Sequence, residues 1–319
     1  MNFFKQLKEV SLRGKLLTGA TVALGGYIFA EDVFNRKPTV SVITLQGTIM
    51  AGGSGFNKTP PINLEGTRKM IDKAFSQRDL KAVLLSVNSP GGSAVQSDLV
   101  SSYIKAKAEK EKVEVIVFVE DVAASGGYWL ACTGSRIYAS RSSVVGSIGV
   151  ISSGLGFHEL IEKYGVERRV FTAGENKSVL DPLSPLKESD VKIIKTILND
   201  IHQHFINHVK GSRGTKLRGE DKELFNGEFW TGLSAVELGL IDGIDNLDAF
   251  IEREYGDTVK VFRAKRLTGL AGLLSTYLEP KLSVLERFIQ SPGLQAPSEI
   301  QAFNATDTAA NQFARNNLK

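Results

Sequence analysis

From Thr39 onward the chain alternates between short apolar runs and longer stretches with helical spacing. "TVSVITLQGTI" (39–49) alternates apolar and polar residues as a strand does, while "AVLLSVNSPGGS" (82–93) and "VEVIVFVE" (113–120) open on or consist of near-continuous apolar runs typical of buried strands. Between them, "NLEGTRKMIDKAFSQRDL" (63–80) and "SAVQSDLVSSYIKAKAEK" (93–110) carry apolar residues at helical intervals. Strands separated by helices predict an α/β fold of parallel β-α-β units with both sheet faces covered. In such sheets sites gather at the carboxyl ends of strands, where "NSPGGS" (88–93) and "DVAASGG" (121–127) both fall. Helical spacing returns at 184–214 and again across 229–256, and weakens from Val259 onward. Residues 267–290 are amphipathic, suited equally to a membrane surface, a neighbouring subunit or the chain's own domain. The tail from Ser291 is polar, poor in large apolar groups, and expected to be disordered.

The first forty residues follow a different pattern. Lys5, Lys8, Arg13 and Lys15 precede the uncharged run Leu16 to Ala30, which Glu31 and Asp32 close. A run of that length at about 1.5 Å per residue reaches about 22 Å, short of a bilayer core of about 30 Å, so flanking residues must help it span. The same length suits the apolar part of a secretory signal, but Ile28 stands where a cleavage site before Ala30's end needs a small residue. The bracketing charges favour a retained single-pass anchor over a buried helix. With the cations N-terminal, the N-terminus is expected in the cytoplasm and the rest outside it, at the cell (inner) membrane.

Length and charge then narrow the classes. At 319 residues the chain accommodates one domain plus appendages. A net charge of +4, dispersed along the sequence, argues against a nucleic-acid partner. The single cysteine, Cys132, excludes an internal disulfide framework, and its apolar neighbours in "WLACTG" suit a small buried residue rather than a reactive thiol. His202, His204 and His208 fall on one expected helix without the accompanying acid of a zinc motif, and are expected on its surface; His158 stands alone. Neither a G-x-S-x-G turn nor a P-loop occurs, and no metal or cofactor is expected.

What remains is a set of glycine-bearing turns. In "AASGGY" a lone serine, Ser125, lies between two alanines and two glycines, directly after an apolar run. Such a serine can be a nucleophile exposed at a turn, with the next amide, that of Gly126, facing a developing oxyanion; or the small residues can simply permit a tight strand-to-helix connection. A second donor is available in "NSPGGS", at Gly92 or its neighbour Gly91. Two further segments, "VVGSIGVI" (144–151) and "RVFTAGENKSVLDPLSPLKESD" (169–190), follow in order. Together these four motifs make the chain resemble, from about Val40 to Asp248, the single-domain signal peptide peptidases of the SppA type, serine peptidase family S49, related to ClpP and the crotonases.

The resemblance implies a ClpP/crotonase-like fold of repeated ββα units, with an N-terminal transmembrane helix. It implies that Ser125 is the nucleophile, Lys177 the general base, Ser147 a serine that orients the lysine amine, and Gly92 and Gly126 the oxyanion-hole region. A lysine in water, with a pKa of about 10.4, is no base at neutral pH, but burial can lower that value by about 3–5. Glu175 and Asp181, which flank Lys177, should therefore point away from it. The implied partners are signal peptides and unfolded polypeptides, the membrane, and further copies of the chain in a homo-oligomeric ring in which Ser125 and Lys177 meet across a subunit boundary. The expected divisions are 1–38 for the anchor, 39–258 for the peptidase domain, 259–290 for an amphipathic extension and 291–319 for the tail. Two other readings stand beside this one: a related protease that cuts a specific membrane-protein partner, and a non-catalytic membrane scaffold of the same fold.

Overall fold

A computed structural model describes residues 37–52 and 60–266. The expected anchor lies outside these residues except for Lys37 and Pro38, as do the amphipathic run 267–290 and the tail. Among the described residues no helix is long and apolar enough to cross a membrane.

The expected alternation organises the first half. Strand β1 (Thr39–Gln46) leads to helix α1 (Leu64–Phe75), β2 (Leu80–Ser89) to α2 (Ala94–Glu111), and β3 (Glu114–Ala124) to α3 (Gly126–Ala131). Side-chain oxygens start the two long helices: Asn63 accepts from the Gly66 amide at 2.8 Å and Ser93 from the Gln96 amide at 3.3 Å. Each of β1 and β2 is followed by a single-residue bridge, Ile49 and Gly92, and these pair with each other in parallel beyond the main sheet. Short strands β4 (Arg136–Ala139) and β5 (Val144–Gly146) both pair with β3.

The principal path across the sheet is β6-β5-β3-β2-β1-β8, where β6 is Phe229–Thr231 and β8 Lys260–Ala264; β7 (Gly243–Ile244) extends it beside β4. Every pairing is parallel except β5 with β6. Alternation sorts the strand residues onto two faces. Ile43, Val83, Leu85, Val115 and Val117 meet Ile71, Ile104 and Trp129 from the helices on one side, while Val42, Leu84, Ile116 and Phe118 meet Phe250 on the other. Phe250 belongs to α8 (Leu247–Tyr255), and its ring lies edge-on to Phe118 at 5.0 Å. Both faces are covered, which is why these runs read as almost unbroken apolar sequence.

Two departures concern the second half. Residues 229–256, whose spacing reads as helical, divide into β6, the short helix α7 (Gly232–Glu237), β7 and α8. Lys260–Ala264, beyond the expected domain end at 258, forms an edge strand of the main sheet, in parallel register with β1 from Thr39↔Lys260 to Ile43↔Ala264. The long helix α5 (Glu188–Arg213) follows the expected span closely, and the one-turn helix α6 (Asp221–Leu224) comes after it. Helix α5 is fastened at its end by Arg213, only 2% exposed, which pairs with Asp242 at 2.8 Å.

Candidate active site

Strand β3 runs to Ala124 and α3 begins at Gly126, so Ser125 alone makes the turn between them. Its backbone has φ +52° and ψ −123°, a conformation that costs a residue with a Cβ on the order of 1–3 kcal/mol. The surroundings hold it there. The Ser125 amide donates to Gly146 of β5 at 2.8 Å, and its carbonyl accepts from Tyr128 and Trp129 of α3 at 2.9 and 3.0 Å. The hydroxyl caps nothing, and the residue is half-buried at the carboxyl end of the sheet.

Backbone approaches this turn more closely than side chains would allow. A Cβ on Gly92, where φ is +140°, would lie 2.0 Å from the Ile49 carbonyl oxygen. One on Gly126 would lie 2.4 Å from Ser97 Oγ and 3.4 Å from the Gly92 nitrogen; one on Gly91 would meet Ser125 Cβ at 2.8 Å. The Gly126 N–H belongs to the first turn of α3, which leaves it without an intrahelical acceptor. The Gly92 N–H donates to no backbone carbonyl among the described residues, because its neighbours Gly91 and Ser93 make the bonds to Ile49. Two free amides from separate turns thus stand beside one hydroxyl, an arrangement able to stabilise negative charge on a carbonyl oxygen.

Ser147 comes one strand across, immediately after β5, whose Gly146 pairs with Ala124. It too has positive φ, +52°, and its amide donates to the Glu228 carbonyl at 2.6 Å. Next to it, the Ile148 carbonyl accepts from His202 Nε2 at 3.0 Å. His208 Nε2 donates to the Trp129 carbonyl at 3.0 Å, and its ring stacks on Trp129 at 4.5 Å. So two of the three helix histidines are not surface residues: they are half-buried and tie α5 to helix α3, which follows Ser125, and to Ile148, which follows Ser147. Burial pushes the His208 imidazole down to about 4, with the Lys105 charge acting the same way. Cys132 is buried as expected, and burial pushes its thiol up to about 11, which makes it inert.

Lys177 is placed differently. It is exposed, on a turn that begins at Gly174, and no hydrogen bond joins its amine to Ser125 or Ser147 among the described residues. That turn belongs to an arm, residues 151–187, whose helix α4 (His158–Lys163) buries none of its residues. The arm is braced internally. Phe157 N–H donates to the Pro182 carbonyl at 2.6 Å, and Asp181 pairs with Arg168 at 3.2 Å and accepts from Ser184 Oγ at 3.1 Å. Its carboxyl is held below the usual range, first by the Leu183 amide and then by these groups, so Asp181 is committed within the arm and not to Lys177. Glu175 is exposed and pairs with no cation among the described residues. A groove of about 1090 Å³ lies between the arm and the start of α5, lined by Leu155, Val170, Leu186, Val191 and Ile194 among others. No cluster of His, Cys, Asp and Glu among the described residues is arranged to hold a metal ion.

The family description "Peptidase family S49" matches residues 107–258. A putative signal peptide peptidase SppA of Enterococcus faecium is 30% identical over 258 residues, 79% of this chain and 73% of that protein. Protease 4 of Haemophilus influenzae is 29% identical over 83% of this chain and 43% of its own length. A Brucella abortus protein named Na(+)/H(+) antiporter NhaA is 47% identical over 233 residues, 73% of this chain; the chain spans only 31% of that protein's length.

Proposed function

The chain belongs to peptidase family S49, and from that premise we propose that it is a serine endopeptidase working through a Ser125–Lys177 dyad. The observation that carries this reading is the strained turn at Ser125, with the free amides of Gly92 and Gly126 beside its hydroxyl. Ser125 Oγ attacks the scissile carbonyl carbon while a neutral Lys177 takes its proton; the carbonyl oxygen, now negative, is held by the two amides. Collapse breaks the C–N bond, and the lysine returns the proton to the leaving amine. Water, deprotonated by the same amine, then releases the acyl group. Ser147 orients the lysine amine, at a distance of one strand from the nucleophile.

An amine is a base at neutral pH only when water is kept from it. Lys177 is exposed in the single chain, so the dyad needs a covering surface, and the apolar arm that carries it supplies one when a second copy is present. We place the site between subunits of a ring, with Lys177 of one copy serving Ser125 of the next. The substrates proposed are signal peptides left after precursor cleavage, extended and small or apolar in side chain, in keeping with the Enterococcus relative's name. Residues 1–38 are proposed to anchor the ring with its peptidase domains outside the cytoplasm; a reporter fused after Lys319 is then active only when exported.

Labelling with a serine-reactive fluorophosphonate tests the chemistry directly. The wild type should be labelled, and Ser125→Ala should not. Lys177→Ala should lose cleavage as completely as Ser125→Ala, and the double variant should be no worse, since groups acting as a unit fail together. Ser147→Ala should lose about 10–100-fold. Near wild-type turnover in Lys177→Ala would remove the dyad.

A further inference from the structure

Gly92 donates its amide to no backbone group among the described residues, so the turn is held by its neighbours' bonds, and these lead outward. Ile49 stands between Gly91 and Ser93: its amide donates to the Gly91 carbonyl at 2.9 Å and its carbonyl accepts from Ser93 at 2.8 Å. On its other side the same segment is paired with Ile62, through Met50 N–H to the Ile62 carbonyl at 3.1 Å and Ile62 N–H to the Thr48 carbonyl at 2.9 Å. Ile62 follows Pro60 and Pro61, which have no N–H and cannot extend a ladder from their own side. Their carbonyls are taken instead by one side chain. Arg266 donates from Nη1 to Pro60 at 2.9 Å, from Nη2 to Pro61 at 2.6 Å and from Nε to Gly66 at 2.9 Å.

The guanidinium is committed to these three carbonyls, and no carboxylate pairs with it among the described residues. Its planar fork suits them as an ammonium would not, because three fixed N–H directions meet three fixed oxygens. A Cβ on Gly66 would lie 2.3 Å from Nη2, so even the helix residue beneath is shaped to admit the group. The position follows from topology. β8 runs parallel to β1, so the chain leaves it at the carboxyl end of the sheet, the end that carries Gly92 and Ser125. Arg266 lies beyond residue 258, where the family match stops.

We propose that Arg266 is a positioning residue for the oxyanion site, holding the Gly92 amide in place through Pro60–Ile62 and Thr48–Met50. In its catalytic consequence the proposal rests on the serine-peptidase reading; in its mechanical content it does not. The test uses the full chain, with Arg266→Ala, Arg266→Lys and, as a control on the strand just before it, Arg263→Ala, whose exposed pair with Asp248 lies away from this ladder. Two readouts are taken per folded molecule. The first is amide hydrogen exchange at Met50, Ile62 and Ser93, which should speed up at least tenfold in Arg266→Ala and stay unchanged in the control. The second is peptide turnover: kcat should fall about 10–100-fold with KM changed less than threefold, and added guanidinium ion should restore part of it. Arg266→Lys, retaining the charge but not the fork, should fall between, and it decides the matter if the alanine variant does not fold. Unchanged exchange at the three amides, or a folded Arg266 variant with full kcat, overturns the proposal. If the wild type takes no fluorophosphonate label, the peptidase reading fails while the exchange data still decide whether Arg266 holds the Gly92 turn.

Discussion

Replacing Ser125 by glycine and by alanine removes the same hydroxyl but leaves different backbones. Alanine keeps the cost of φ +52°, whereas glycine does not, so Ser125→Gly should be the more stable of two inactive proteins by about 1 kcal/mol once glycine's greater unfolded-state freedom is counted. Urea unfolding of the two variants measures this; an alanine variant more stable than the glycine one by about 0.5–1 kcal/mol would mean that the turn carries no strain. His208 makes a second residue-scale prediction. Its folded value of about 4 lies below the ordinary value of about 6.5. Between those values the unfolded chain binds a proton that the folded one does not, so stability is complete above pH 6.5 and falls as the pH drops toward 4, by at most about 3 kcal/mol. In His208→Gln this part of the pH slope should disappear while stability at pH 7 changes less. The strand-to-helix turn at Ser125 was legible from sequence, because an apolar run ending in alanines and glycines signals a tight connection; the use of its hydroxyl was not, since such a turn also serves packing alone. Ser147 and Lys177 were not legible without the family resemblance, since a serine after a glycine and a lysine in a loop carry no pattern of their own. The inward turn of His202 and His208 had no local signal either: their acceptors lie 54 and 79 positions away.

Elements buried on two sides announced themselves, and those buried on one side did not. β1, β2 and β3 are each flanked by strands and covered by helices, so their apolar runs marked them. Among the described residues β8 pairs only with β1, and it exposes much of "KVFRA", which leaves too little apolar alternation to separate it from a loop. Within 229–256 the helical spacing is broken by glycines at 232, 239 and 243, and Trp230 is drawn into β6, its ring close over Gly146. β8 can be tested as a strand by proline. Lys260 N–H donates to the Pro38 carbonyl at 2.8 Å, so by alternation the amides of Phe262 and Ala264 also face β1, while that of Val261 faces outward. Ala264→Pro should then cost about 1–3 kcal/mol by stranding a carbonyl of β1, and Val261→Pro much less. Equal effects in denaturant unfolding would mean that residues 260–264 do not pair as a strand in solution.

At the scale of the whole molecule, the arm from 151 to 187 is hard to account for in a chain acting alone. Phe171 is 94% exposed and Ile151 85%, and Leu155, Tyr164, Val166 and Leu186 are exposed beside them. Fixed by its own Asp181 and Pro182 bonds, the arm offers apolar side chains to water and holds Lys177 where nothing among the described residues covers its amine. Exposed apolar surface on this scale marks an interaction site, and a second copy of the chain is the partner that would also complete the dyad. If Lys177 of one subunit serves Ser125 of the next, two dead proteins should make a live one. Ser125→Ala subunits retain the lysine and Lys177→Ala subunits retain the serine, so a mixed ring contains some junctions with both wild-type groups. Equal mixing in a closed ring puts both at one junction in four on average, and cleavage should return to about a quarter of the wild-type rate per subunit. Homogeneous rings of either variant remain inactive and provide the baseline. Subunit exchange is checked by differently tagged chains recovered in one complex. If such mixed complexes form and still cleave nothing, each subunit owns its serine and its lysine, and the arm must instead fold back over its own sheet to deliver Lys177.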